Sequence, residues 1–271
     1  MSLQQLQELL NNSVSDNQAT SQAADRSIAE MMAKDPKLVI SLHLQNINTH
    51  PLHPSASGSI LELKNVATRV VLDVSSIGDP AFHSFLKSSL LSALERNDFD
   101  ESDLSVLASL VPNFAARFVF KGQWEDYASS IFAICKKGSN GGYITLADSI
   151  NSRLIKYEAN SAEINQILEK GFSNPKTSIN SLSVLIAAAN NTENDADLKA
   201  FGPTIVKLLS VCPTGDLNTV VSKLSEFLTS KKGFFDSVKT GLSNELVKIS
   251  QKQGVLARVK RIATALADQL K

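Results

Sequence analysis

The chain has 271 residues with 27 basic against 27 acidic side chains, and this zero balance argues against a general binder of nucleic acid or of anionic membranes. Hydrophobic residues reach 43% while aromatics stop at 6%, a mixture suited to a substantial core of helices packed on Leu, Ile, Val and Ala. Two cysteines, Cys135 and Cys212, are too few for a disulfide framework; each lies in an apolar helical stretch and reads as a buried thiol in a reducing compartment.

In chain order, helix beginnings recur near Leu3, Pro36, Ala81, Gln123, Ala162, Asp197 and Phe234, restarting every 33 to 45 residues. Each opens a helix, a tight turn and a second helix. The spacing predicts seven pairs at 3–33, 36–74, 81–118, 123–157, 162–190, 197–230 and 234–270. Such a unit cannot bury its apolar face alone, so neighbours must stack and leave long polar surfaces for partners. The N-terminus, Met1-Ser-Leu-Gln-Gln-Leu-Gln-Glu-Leu-Leu, lacks the basic start and continuous apolar core of a signal peptide, and no apolar run reaches membrane-spanning length. A soluble intracellular protein is expected, with no domain boundary between residues 1 and 271.

Local chemistry supports the pairs. Asp35-Pro36, Asp79-Pro80 and Asn174-Pro175 each place a capping side chain before a proline at the first helical position, where the missing N–H has no acceptor to lose. Asp100-Glu-Ser-Asp103 and Ser161-Ala-Glu163 supply acidic first turns. The β-branched run from Val66 to Val74 continues a helical pattern begun at Ile60, so it is expected as helix, with Ile60, Leu63, Ala67, Val70, Val71 and Val74 inward and Lys64 and Arg69 outward. The segment from Asn48 to Gly58, with three prolines or glycines among small polar residues, reads as the loosest linker. Gly202-Pro203 should kink the sixth unit's first helix or delay its start. The last helix, Gly254 to Lys271, carries an apolar stripe and two further alanines, Ala265 and Ala267, and is expected to behave as an interior helix.

Catalysis finds no support. His43, His50, His53 and His83 lack a Cys, Asp or Glu at ligand spacing, so a loop is expected rather than a metal site. Gly138-Ser-Asn-Gly141-Gly142 lacks the strand and Lys-Ser/Thr of a phosphate loop and reads as a turn between paired helices. No nucleophile elbow or triad context occurs, and no cofactor is implied. Charge is uneven along the chain: seven acids against three bases from Glu95 to Asp126, nine bases against three acids from Leu228 to Lys271. The basic residues of the last stretch form either a ridge for an acidic protein surface or an ordinary solvated face. Phe114, Phe118, Phe120 and Trp124 cluster around one turn, where core packing is the common fate of such rings.

Helix pairs of this length resemble HEAT repeats, and the first half resembles the N-terminal part of the importin-β (karyopherin-β) family of nuclear transport receptors. The residues that carry this are Leu6-x-x-Leu9-Leu10, Asp16-Asn17 with Ala23-Ala24 and Ile28, Asp35-Pro36 opening Leu38-Val-Ile-Ser-Leu42, and Ile60-Leu-Glu-Leu-Lys64-Asn65. Downstream, Trp124-Glu-Asp-Tyr127 resembles the start of the family's fourth repeat, with Glu125 where proline is usual. Ile164-Asn-Gln-Ile-Leu168 with Gly171-Phe-Ser-Asn174-Pro175 resembles its fifth-repeat helix and turn. Asp16-Asn17 is followed by Gln18 and Ala19 rather than a base, which argues against a ladder of ion pairs between repeats.

The resemblance implies an all-α, HEAT-type α-solenoid (an armadillo-like superhelix) that binds proteins and is not an enzyme. It implies that Lys64, Asn65 and Arg69 meet the GTP-bound small GTPase Ran, that grooves between outer helices near Trp124 take Phe-Gly nucleoporins, and that cargo is carried between cytoplasm and nucleus. The alternative is a HEAT scaffold or assembly factor, including a tubulin-binding type domain.

Overall fold

The computed structural model describes every residue except 69–73, 78 and 271. Among the described residues the chain is helical and without strands. The helices are α1 (Leu3–Ser13), α2 (Gln18–Lys34), α3 (Pro36–Ile47), α4 (Ala56–Thr68), α5 (Pro80–Leu94), α6 (Glu101–Val119), α7 (Tyr127–Lys136), α8 (Asn140–Asn151), α9 (Tyr157–Ser173), α10 (Ser178–Asn190), α11 (Ala196–Lys199), α12 (Gly202–Val211), α13 (Leu217–Ser230), α14 (Lys239–Gln251) and α15 (Ala257–Gln269). Short 3-10 turns occupy Val74–Ser76 and Asp236–Val238. The seven expected pairs are all present. No helix among the described residues is long and apolar enough to cross a membrane.

Two compact units are formed, residues 1–145 and 146–271. In the first, α1, α3, α5 and α7 pack in sequence as one row, while α4 packs on α6, and α2, α4 and α6 each pack on the helix before them. In the second, α12 packs on α14, and α10, α13 and α15 make the other row. α3 and α14 each meet the other helix of their own pair and a helix of a neighbouring pair, while α13 meets α10 before it and α15 after it, as repeat stacking demands.

Cap chemistry explains several boundaries. Asp35 accepts from the Leu38 N–H and Asp79 from the Phe82 N–H, each ahead of a proline at the first helical position. Asp100 caps α6, whose first turn holds Glu101 and Asp103. Asn174 behaves otherwise. It follows the end of α9, and its Oδ1 accepts from the Lys176 N–H, closing a turn before α10 begins at Ser178. The expected helix at 162 exists, but as a restart within α9, where Asn160 is non-helical (φ −132°, ψ 17°). Gly202-Pro203 splits the sixth unit's first helix into α11 and α12.

The segment after Asn48 is tied down, contrary to its loose composition. Arg96, nearly buried, donates to the carbonyls of Ile47 (3.1 Å) and Thr49 (2.9 Å), and its other nitrogens pair with Asp98. Asn48 also donates to Ser89 O at 3.1 Å. The helical reading of 60–74 holds through Thr68; Val74 lies in a separate 3-10 turn, and Arg69, Val70 and Val71 lie outside the described residues. The outward positions of α15 are Ala257, Arg258, Arg261, Thr264, Ala265, Asp268 and Gln269, a mixed face of polar side chains and alanines, while its apolar stripe is covered by α13 and α14.

α6 carries a buried proline, Pro112, in its interior. Proline has no N–H, so the carbonyl of Ala108, one turn earlier, loses its helical donor. Thr145 of α8 replaces it, its Oγ1 donating to Ala108 O at 3.0 Å from a fully buried position. Thr145→Val keeps the shape and removes that donor. It should lower stability by about 1–3 kcal/mol, the usual penalty for a buried unsatisfied carbonyl, readable as a shift in the urea midpoint; Thr145→Ser should recover most of it.

Candidate protein-binding surfaces

Surfaces with chemistry suited to partners lie in both units. On α4, Ile60, Leu63, Val66 and Ala67 face the core, which leaves Ser57, Leu61, Lys64, Asn65 and Thr68 as an exposed stripe. Lys64 and Asn65 are thus solvent-facing, with Asn65 Nδ2 3.5 Å from Glu62 Oε1. Leu61, 53% exposed, stands on the same stripe and was missed by the sequence, whose pattern treats it as one more apolar residue of the run. A partly apolar stripe with one cation suits a protein partner better than water alone. Arg117 of α6 secures the end of α4 by donating to Ala67 O at 2.7 Å. Arg69 lies outside the described residues.

The aromatic turn after α6 divides by burial. Phe114 and Phe118 are fully buried and Trp124 is 3% exposed, packing edge-on to Phe118 and Tyr127 at 6.3 and 5.0 Å. The Lys87 ammonium covers this cluster, 5.4 Å from the Phe118 ring and 5.6 Å from the Trp124 ring. Trp124, expected at a partner surface, is therefore a core residue. Phe120, just past the helix end, is the ring that reaches solvent, at 72% exposure.

In the second unit an apolar groove of about 590 Å³ runs between α9 and α12. Phe172 and Phe201 lie on its floor with ring centroids 5.8 Å apart, and Ile179, Leu208 and Val211 extend it. Glu169, Lys207 and Asp216 sit at its margin. Cys212 lines one end, its thiol pushed up to about 11 chiefly by burial, so it is a packing group and not a nucleophile. The Cys135 thiol, in the other unit, is also raised by burial. A second, polar face lies across α8, α10 and α13, where Asp148, Asn151, Ser183, Asn190, Lys223 and Glu226 line a cavity of about 250 Å³. Asn191 donates to Asn151 Oδ1 at 3.3 Å, joining successive pairs on this side.

The histidines do not converge. His43 is buried in α3 rather than in a loop, its Nδ1 3.1 Å from Ser59 Oγ. His53 contacts Ser55, and His83 packs edge-on to Phe118. Among the described residues no group of three His, Cys, Asp or Glu side chains could hold a metal. The glycine-rich stretch is the turn between α7 and α8, as expected: Gly138 turns with φ 81°, and a Cβ at Gly141 would lie 2.9 Å from Leu94 O.

Known structures share this architecture. Importin β, crystallised in an ammonium sulfate condition, matches with a TM-score of 0.81 at 10% identity, over 98% of this chain and 33% of that one. The karyopherin Kap121p bound to RanGTP matches with a TM-score of 0.67 at 11% identity, over 98% and 25%. Kap95p, whose binding induces the switch loops of RanGDP to adopt the GTP-bound conformation, matches at 0.62 with 13% identity, over 100% and 41%. The chain spans a quarter to two fifths of these proteins. No protein-family model matches the chain, and no curated protein matches its sequence. At such identities the likeness establishes the fold, an all-α HEAT-type solenoid of the importin-β kind.

Proposed function

We propose that this chain is a protein-binding segment of a nuclear transport receptor, working between cytoplasm and nucleus without catalysis. The observation that carries the reading is the match of nearly the whole chain to karyopherin structures, one of them bound to RanGTP. The α4 stripe, with Leu61, Lys64 and Asn65, is the face assigned to GTP-bound Ran. The groove floored by Phe172 and Phe201 replaces the Trp124 turn as the place for phenylalanine side chains of Phe-Gly nucleoporins, since its rings and volume suit an inserted aromatic.

The physical logic is differential contact. A receptor can respond to nucleotide only if the switch surface of the GTPase meets it differently in the two states. Lys64 is exposed and can pair with an acidic group at such a contact, where loss of one partner weakens binding without touching the core. Lys64→Ala should weaken binding to GTP-locked Ran tenfold or more, about 1.4 kcal/mol, with helicity unchanged by circular dichroism. If the wild-type chain takes up neither GTP-locked nor GDP-locked Ran in a pull-down at micromolar concentration, the transport reading falls and a HEAT scaffold takes its place.

A further inference from the structure

The turn that joins α14 to α15 and the helix ends beside it concentrate positive charge with little local compensation. Between Glu245 and Asp268 the sequence holds five bases and no acid: Lys248, Lys252, Arg258, Lys260 and Arg261. Lys248 pairs with Glu245 at 2.6 Å, while the other four make no ion pair among the described residues. Arg258 and Arg261 lie one turn apart on the exposed face of α15, and Lys252 opens the five-residue turn that leads into that helix, all three exposed. Asp216, which with Lys252 acts on the Cys212 thiol, is a single carboxylate near one margin.

Two further details mark this patch as built for contact. Arg258 lies in the first turn of α15, where the helix dipole disfavours cations, and no acidic residue stands there to offset it. The arrangement costs stability, and an anionic partner would relieve the cost. Leu256, the residue that leads into α15 between Lys252 and Arg258, is 67% exposed. Gly254 turns the chain with φ 80°, and a Cβ there would touch only Thr214, at 3.9 Å, so the turn is open at this position while Val255 beside it anchors it to the core.

We propose that this turn is a docking surface for an acidic peptide segment carrying an apolar side chain, the carboxylates meeting Lys252, Arg258 and Arg261 and the apolar group covering Leu256. The chemistry favours a peptide over other polyanions. No aromatic residue occurs from Asp236 to Lys271 on which a nucleic acid base could stack. A lipid surface needs an apolar helix face turned outward, and the apolar face of α15 is spent on α13 and α14. Lys252, Leu256, Arg258 and Arg261 do not line the α9–α12 groove, although Lys252 and the groove's Asp216 both act on Cys212; the charge variants at Arg258 and Arg261 therefore test this surface apart from the groove and from the α4 stripe.

Fluorescence anisotropy on the full chain provides the test, with a fluorescein-labelled peptide of alternating glutamate and aspartate around a central leucine. Saturable binding is expected at about 50 mM salt, weakening tenfold or more by about 300 mM as screening shortens. Arg258→Glu with Arg261→Glu should weaken it at least tenfold at low salt, with the helical signal retained. Leu256→Ser should weaken it about threefold at every salt concentration, which bare charge attraction does not predict. Should the double variant unfold, Arg258→Gln with Arg261→Gln removes the same charges without reversal and is expected to cost at least fivefold. Equal binding by wild type and charge variants would overturn the proposal. So would tighter binding to an oligothymidine or to phosphatidylserine vesicles than to the peptide, or salt-sensitive self-association that the peptide fails to disperse.

Discussion

Arg96→Ala should lower the unfolding free energy by about 2–4 kcal/mol, among the largest single losses available in residues 1–145. The guanidinium is 5% exposed and has four tasks at once: it donates to Ile47 O and Thr49 O, pairs with Asp98 through two nitrogens, and stacks 5.3 Å from the Phe99 ring. Its removal strips two carbonyls at the end of α3 of their donors and frees the 48–55 segment. Asp98, already 43% exposed, returns to water at little cost, so the loss resides in the carbonyls and the packing. Arg96→Lys keeps the charge but cannot fork toward both carbonyls, and it should recover less than half. Urea denaturation followed at 222 nm measures all three proteins; a loss under about 0.5 kcal/mol in Arg96→Ala would show that the segment holds itself.

Acid should unfold the chain partly through His43. Burial lowers this imidazole from 6.5 to about 4, and the network around it gives the reason. Asn46 Nδ2 donates to the hydroxyls of Ser55 and Ser59, at 2.9 Å each, leaving the Ser59 proton for His43 Nδ1. Nε2 then carries the ring proton with no partner among the described residues. With the folded value depressed, the unfolded state binds the proton first. Stability is therefore fully present above pH 6.5 and declines as pH falls, by about 2 kcal/mol at pH 5 and about 3 kcal/mol at pH 4, where the loss levels off. Comparing urea midpoints at pH 7 and pH 5 for wild type and His43→Leu isolates this group. Equal drops in the two proteins would assign the acid sensitivity elsewhere.

Local rules carried the fold. Asp35-Pro36, Asp79-Pro80 and Asp100 act within one turn of chain, so side chain and backbone decide the boundary without help, and the structure places helix starts at all three. Asn174-Pro175 looks the same in sequence but closes a turn, since the amide found the nearer Lys176 N–H. The surfaces were harder. Lys64 could be turned outward from periodicity alone, yet Leu61 could not, because its exposure depends on which neighbours α4 meets. Trp124 and Phe120 differ only in which side of the turn packs against Lys87 and Tyr127. The α9–α12 groove joins Phe172 and Phe201 from separate repeats, and nothing short-range in either segment announces the other.

The loan of a donor from Thr145 to Ala108 bears on the order in which the chain is made. Synthesis delivers α6 before α8, so the proline-bearing helix leaves the ribosome with a carbonyl that only water can satisfy, and it cannot dehydrate that side at once. Its inner surface stays wet until the next repeat arrives with the hydroxyl. A nascent chain halted before Thr145 should therefore hold its third helix pair loosely and expose Pro112 to proteases, whereas one halted a few residues later should close over it.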